Sequence, residues 1–562
     1  SVHAAVRRTA MLDADWWRGA VIYQIYPRSF FDSNNDGIGD LPGVTARLDH
    51  IARLGADAIW LCPFFVSPQR DFGYDVADHV SVDPIFGTLA DFDALLDRAH
   101  ALGLKVLIDQ VWSHTSDRHP WFLNSRTSRD AARADWYVWA DPSEDGTPPN
   151  NWLSVFGGAA WTWEPRRRQY YLHHFLSHQP ALNLHNPAVM DALLETGKFW
   201  LDRGVDGFRL DAIDFLLHDK ALRPNPTAPR PAEIPAKLFG LQRHVHDMLQ
   251  PEAMGLLARI RGLMDAYPGT VTLGEISSQP GAFERVVACT EGADRLHMAY
   301  TLRPLRGGFD WPTVTSLLRD VASVGQDGWI CWSFSNHDVE RAVSRWNPRR
   351  GEAPDPAFAR LLMALLLSLR GSVCLYQGEE LGLTEAQLSE DDLRDPFGIA
   401  YWPEFRGRDG SRTPMPWTAD AAHAGFTAAE APWLPVPAAH QDAAVDMQEQ
   451  DADSLLHAFR RFLHWRRGVP ALLRGSLRPL DLPEPLVGFV REYQGQRVVA
   501  IFNLSDRPVP FACEWTGAVI ASEMDQASEP GVLPAFGVRF IQQGVDTLET
   551  AAEARPVEAL LP

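Results

Sequence analysis

Asp211, Glu275 and Asp338 each lie at the end of a short β-type run, GFRLDA, TLGEI and FSNHD. Side chains alternate along a strand, so Gly207, Arg209 and Asp211 share one face, and Phe208 and Leu210 take the other. A guanidinium then lies beside the Asp211 carboxylate and favours its ionised form, as a nucleophile requires. Val271, Leu273 and Glu275 share a face in the same way. Apolar neighbours favour a protonated Glu275 near neutrality, which suits a general acid. Two carboxyl groups with opposed environments divide the work as in cleavage of a glycosidic bond. His337 precedes Asp338, and DQVWSHTS carries Asp109 and His114. A single Arg–Asp pair also reads as a structural ion pair. The catalytic reading rests on four strand ends carrying such groups.

A parallel sheet must position these ends. β-rich runs alternate with amphipathic helical runs from VIYQIYP to GSVCLYQGEE, giving eight βα units and a (β/α)8 TIM barrel. Catalytic groups of such a barrel sit at the C-terminal ends of its strands. The alternation breaks over 113–185, which is too long for a plain loop and reads as a small inserted domain after strand three. Residues 1–112 and 186–475 form the barrel. Short strands split by Pro and Gly over 476–562 predict a C-terminal antiparallel β-sandwich domain. RPNPTAPRPAEIP (223–235) holds five Pro directly after strand four, so it is a candidate rim of the site.

The 562-residue chain is 46% hydrophobic and carries a net charge of −20. That acidity argues against nucleic acid or an anionic membrane as partner. Twenty Trp suit stacking on the apolar faces of sugars as well as a core. The five scattered Cys lack a zinc spacing and read as reduced core residues. There is neither an apolar leader pattern near the N-terminus nor an apolar stretch of about 18 residues, so a cytoplasmic protein is expected.

In their order, VIYQIYPRSF, DFGYDV, DQVWSHTS, GFRLDA, LGEI and FSNHD resemble the ordered segments of the alpha-amylase family of glycoside hydrolases (family 13). DSNNDGIGDLPG, QPALN and GRDGSRTPMPW resemble its exo-acting alpha-glucosidase and oligo-1,6-glucosidase branch. The resemblance implies Asp211 as nucleophile, Glu275 as general acid/base and Asp338 as the third carboxylate, which binds sugar hydroxyls. It implies that Arg209 positions Asp211, and that His114 and His337 bond the hydroxyls of a bound glucose. Asp71 and Tyr74 then close the pocket, Arg408 partners Asp71, and Phe156 and Phe175 form aromatic walls. A closed pocket takes a terminal glucose, and two inverting displacements retain its configuration. An alcohol acceptor in place of water gives glucosyl transfer. Ala212, after the nucleophile, goes in this branch with α-1,4 rather than α-1,6 cleavage. Ser113 and Ala181 depart from the branch's usual Asn and Asp. The substrate is a small oligosaccharide or α-glucoside, and no organic cofactor is implied. Two alternatives are a dedicated transferase or isomerase of the sucrose- or trehalose-forming kind and a non-catalytic amylase-like binding subunit.

DSNNDGIGD (32–40) looks first like a calcium-sensor loop, but the twelfth position, where such a loop needs Glu, is Gly43. Side chains of Asp32, Asn34, Asp36 and Asp40 with the carbonyl of Ile38 suit a structural Ca²⁺ or Mg²⁺ that pins the first βα loop.

Overall fold

The computed structural model describes residues 14–325, 327–511, 518–519 and 531–543. Eight parallel strands form one sheet: β1 (Val21–Ile25), β2 (Ala58–Leu61), β3 (Lys105–Gln110), β4 (Gly207–Leu210), β5 (Val271–Ile276), β6 (Met298–Thr301), β7 (Cys331–Ser333) and β8 (Ser372–Tyr376). Their spatial order is β6-β5-β4-β3-β2-β1-β8-β7. A parallel bridge from Ala299 to Ile330 joins β6 to the start of β7 and closes the ring. The fold is therefore the expected TIM barrel. Ile22, Trp60, Leu107, Leu273, Met298, Cys331 and Cys374 fill its interior, and a larger apolar layer separates strands from helices.

Local chemistry sets the helices that brace the strands. Helix α1 (Leu41–Leu54) begins where Asp40 accepts the Gly43 N–H, and ends at Gly55, whose φ of 101° favours a residue without Cβ. Its buried face includes Leu48, Ile51 and Leu54, as the sequence period requires. Helix α2 (Leu89–Ala101) opens on a reciprocal Thr88–Asp91 capping box. Register then sets the site: Asp109 lies opposite Arg209, and Glu275 opposite Tyr300.

Within 113–185, the strand Gln169–Leu172 pairs with both Trp139–Ala140 and Trp161–Glu164 in an antiparallel sheet. A small core of Val138, Trp152 and Trp161 supports it. From Ser476 onward the chain forms a five-stranded antiparallel sheet beside a two-stranded one. Residues 1–13, 512–517, 520–530 and 544–562, Cys513 among them, lie outside the described residues. Cys62, Cys289, Cys331 and Cys374 are buried free thiols. Among the described residues no helix is long and apolar enough to cross a membrane.

Gly207 opens β4, and a Cβ there would stand 2.3 Å from the Val271 carbonyl oxygen of β5. Gly207→Ala should therefore lower stability by about 1–3 kcal/mol through forced separation of the two strands. The check is the urea midpoint; an unchanged midpoint would mean that the strands part at no cost.

Candidate active site

One guanidinium organises the barrel mouth. Arg209 is fully buried on β4 and donates to Asp109 Oδ1 at 2.9 Å and Asp211 Oδ1 at 2.6 Å through Nη1. Its Nη2 lies 2.9 Å from Glu275 Oε2 and donates to the Tyr300 hydroxyl at 2.5 Å. Strands β3 to β6 are thus tied by a single side chain. The guanidinium carbon also sits 4.6 Å from the Trp60 ring centre. Just after β4 the chain turns at Ala212, a non-glycine residue with φ 46° and ψ 50°. That turn aims the Ala212 N–H at Glu275 Oε2, 3.0 Å away. Asp211 and Glu275 thus take the two terminal nitrogens of the same guanidinium.

Burial decides the charges here. It raises the Asp211 carboxyl to about 6, against the opposing pull of Arg209. The sequence argument weighted Arg209 alone; the cost of desolvating the carboxylate outweighs it. Burial pushes Glu275 further, to about 8, with Asp211 and Asp338 adding repulsion and Arg209 again opposing. Between these values Asp211 is ionised and Glu275 holds a proton. Asp338 goes the other way. Burial disfavours its charge, but His337, Arg408 and Arg412 together hold its carboxyl well below the usual range.

The closed end is built around a second arginine. Arg408 donates to Asp71 Oδ1 at 2.9 Å, Asp338 Oδ1 at 3.0 Å and both oxygens of Asp395. Gln179 of the inserted region donates to the other Asp71 oxygen at 2.8 Å. Arg412 donates to the His337 carbonyl and to Asp338 Oδ1. Tyr74 lies parallel to the His337 ring with centres 5.1 Å apart, and its hydroxyl donates to Asp109. His337 meets Gln24 through Nδ1, and its Nε2 lies 3.4 Å from Asp338. His114 contacts the Ser113 hydroxyl through Nδ1 and the Tyr74 carbonyl through Nε2. Both ring nitrogens therefore already have protein partners. Burial lowers His114 to about 4 and His337 to about 3, so both rings are neutral near pH 7.

All three carboxylates line one cavity with Asp71, Tyr74, His114, Phe156, Phe175, His337 and Arg408. Its space, open mouth included, is about 930 Å³. Phe156 and Phe175 lie 5.8 Å apart, and Phe156 also packs on Phe397 at 4.8 Å. Lys237, Phe239, Arg306 and Phe397 line the mouth and escaped the sequence reading. The Pro-rich stretch 223–235 does lead into Lys237 and Phe239, and GRDGSRTPMPW contained Arg412; those were the available signals.

The loop 32–40 lies away from this cavity. Asp32 accepts the N–H groups of Asn34, Asn35 and Gly37 and the hydroxyl of Thr427. Asp40 accepts from Ser33 and Gly43, and Asp36 from the Ile38 N–H. Asn34 and Asp36 are exposed. No group of three or more His, Cys, Asp or Glu is placed to hold a metal among the described residues. Asp32 and Asp40 are nonetheless both buried, with no ion pair to either among the described residues. Burial, with some repulsion from Asp32, raises the Asp40 carboxyl. The donors of this loop are all oxygen, the chemistry a hard cation prefers, and both carboxylates already accept hydrogen bonds within the fold.

Residues 24–475 match the family model of the alpha amylase catalytic domain. A probable alpha-glucosidase of Rhizobium meliloti (strain 1021) is 54% identical over 503 residues, covering 88% of this chain and 90% of that protein. The oligo-1,6-glucosidase of Heyndrickxia coagulans is 35% identical over 543 residues, covering 88% and 93%. A crystal structure of an alpha-glucosyl transfer enzyme superposes with a TM-score of 0.89 at 53% identity, covering 94% of this chain and 99% of that one.

The two carboxyl groups set a pH window. A reaction that needs ionised Asp211 and protonated Glu275 loses kcat/KM as pH falls through about 6 and as it rises through about 8. Glu275→Gln should remove the alkaline limb from whatever activity remains on a substrate with a good leaving group. A persisting limb near pH 8 would assign that titration elsewhere.

Proposed function

Because the chain belongs to the alpha-amylase family of glycoside hydrolases, we propose that it is an exo-acting, retaining alpha-glucosidase that removes terminal α-1,4-linked glucose from maltose-type oligosaccharides or other α-glucosides. The glycoside hydrolase character and alpha-glucosidase type follow from the relatives. The observation that carries the finer reading is the seating of Asp211 and Glu275 on the two terminal nitrogens of one guanidinium, at 2.6 and 2.9 Å. An inverting pair needs space for a water between its carboxyl groups, whereas a retaining pair stands close.

In this reading the Asp211 carboxylate attacks C1 of the terminal glucose while Glu275 gives its proton to the departing glycosidic oxygen. The leaving sugar departs as an alcohol, and a β-glucosyl ester of Asp211 remains. The Glu275 carboxylate then takes a proton from an incoming hydroxyl, whose oxygen attacks C1 and releases Asp211. Arg209 keeps both carboxyl groups in place and opposes protonation of Asp211. Asp338, held ionised, accepts sugar hydroxyls. Asp71, Arg408, Asp338 and Gln179 block one end, which supports cleavage of a single terminal residue. Both nitrogens of His114 are bonded to protein, so hydroxyl binding by that ring requires exchange of the Tyr74 bond. Ala212 supports α-1,4 substrates.

The incoming hydroxyl is water in hydrolysis and an alcohol in transfer. Transfer is the second reading, supported by the similarity to an alpha-glucosyl transfer enzyme. A binding subunit without catalysis is disfavoured, since all three carboxylates converge on the cavity. Maltose should yield glucose whose newly released anomer is α, with transfer products appearing as sugar concentration rises. Asp211→Asn should lower turnover by roughly 10⁴-fold or more while the fold persists. Initial release of β-glucose, or an active Asp211→Asn variant, would sink the mechanism.

The loop 32–40 is proposed to hold Ca²⁺ or Mg²⁺ through Asp32, Asn34, Asp36, Asp40 and the Ile38 carbonyl. The ion would fix this loop against 426–433, where Asp32 N–H donates to Phe426 O and Trp433 N–H to Gly37 O. A chelator should lower Tm, and added Ca²⁺ should restore it, with Asp32→Asn insensitive to both. Equal melting of wild type with and without chelator would remove the ion from the account.

A further inference from the structure

Three arginines inside the site are fully engaged: Arg209, Arg408 and Arg412 each donate to carboxylates. Two more cations line the same cavity and are not. Lys237 follows the Pro-rich stretch after β4, and Arg306 ends the short helix Arg303–Arg306 after β6. Neither side chain donates a hydrogen bond or forms an ion pair among the described residues. Lys237 is half-buried, with its ammonium 4.5 Å from the Phe397 ring centre, and Arg306 is exposed at the mouth. Lys237 comes from the loop that follows β4 and Arg306 from the one that follows β6, and both line the cavity with Asp211 and Glu275.

Their charges do not serve each other. Burial lowers the Lys237 ammonium to about 8, and repulsion from Arg306 and Arg408 adds to this. Arg306 is repelled by Arg408 and attracted by Asp338 and Glu275. Two cations that line one cavity without a carboxylate partner gain from an anion placed within reach of both. Phe239 and Phe397 supply an apolar floor beside the two charges. Glucose itself offers no anion, so the charge must belong to the group beyond the cleaved bond.

We infer that Lys237 and Arg306 form a recognition site for an anionic substituent, carboxylate or phosphate, on the leaving group or acceptor of the reaction. The inference rests on the alpha-glucosidase reading and adds a substrate preference to it. A maltose-type substrate is then accepted, and one bearing a negative charge on its aglycone is preferred.

Two matched pairs test it: the α-glucosides of 4-hydroxybenzoate and of its methyl ester, and maltose with and without a phosphate on its reducing-end sugar. The wild type should show a kcat/KM about tenfold higher for the anionic member of at least one pair at low salt. A preference in the first pair assigns carboxylate, and in the second phosphate. The ratio should fall towards one in K237Q and R306Q and at high salt, and reverse in K237E. Ratios at or below one in both pairs, or unchanged in all three variants, would overturn the site while hydrolysis of maltose still upheld the alpha-glucosidase reading. Failure to cleave any of the four compounds would overturn both.

Discussion

The structure depends on keeping the Arg209 guanidinium inside a barrel with three carboxylates against it. Asp109, Asp211 and Glu275 come from β3, the end of β4 and β5, and all meet one side chain. Burying any one of these charges alone would be costly, and removing one partner leaves the others uncompensated. The cluster therefore fixes the strand register, and the register fixes the cluster: Asp109 stands across from Arg209, and Glu275 across from the Tyr300 that also meets Arg209. Catalytic geometry and the register of β3 to β6 are one constraint.

Two arginines divide the electrostatics. Arg209 faces the reacting pair and leaves it poised, because burial outweighs its charge by different amounts at Asp211 and Glu275. Arg408 faces the blocked end and, with Arg412, holds Asp338 ionised against burial. In the proposed reaction the same carboxyl chemistry thus supplies a nucleophile, an acid and a permanent anion within one cavity. Neutral His114 and His337 add shape and hydrogen-bonding groups without a further charge.

The barrel strands were legible because each is a short apolar run between helical periods, and burial on both sides demands that pattern. Asp211 and Glu275 were legible because strand alternation points them to one face, and Asp338 through the motif FSNHD that follows β7. The closed end was readable only through the motifs DFGYDV and GRDGSRTPMPW, since Arg408 and Asp71 are 337 positions apart and meet at 2.9 Å through folding alone. Asp40 was read as a metal ligand, and it also caps α1; a single carboxylate can satisfy both patterns in sequence. Lys237, Arg306 and Phe397 were missed because irregular loops carry no period that says which side chain turns inward. The Asp211 balance was misjudged for a related reason. Arg209 two residues away is visible in sequence, whereas the desolvation that outweighs it comes from packing of the whole mouth.

The central claim is the division of protons between the two carboxyl groups that share Arg209. Infrared difference spectroscopy of the resting enzyme at pH 7 reads it directly. The account predicts a protonated carboxyl C=O stretch that is absent in Glu275→Gln and present in Asp211→Asn. A band that survives in Glu275→Gln and vanishes in Asp211→Asn would reverse the acid and the nucleophile, and would contradict the account.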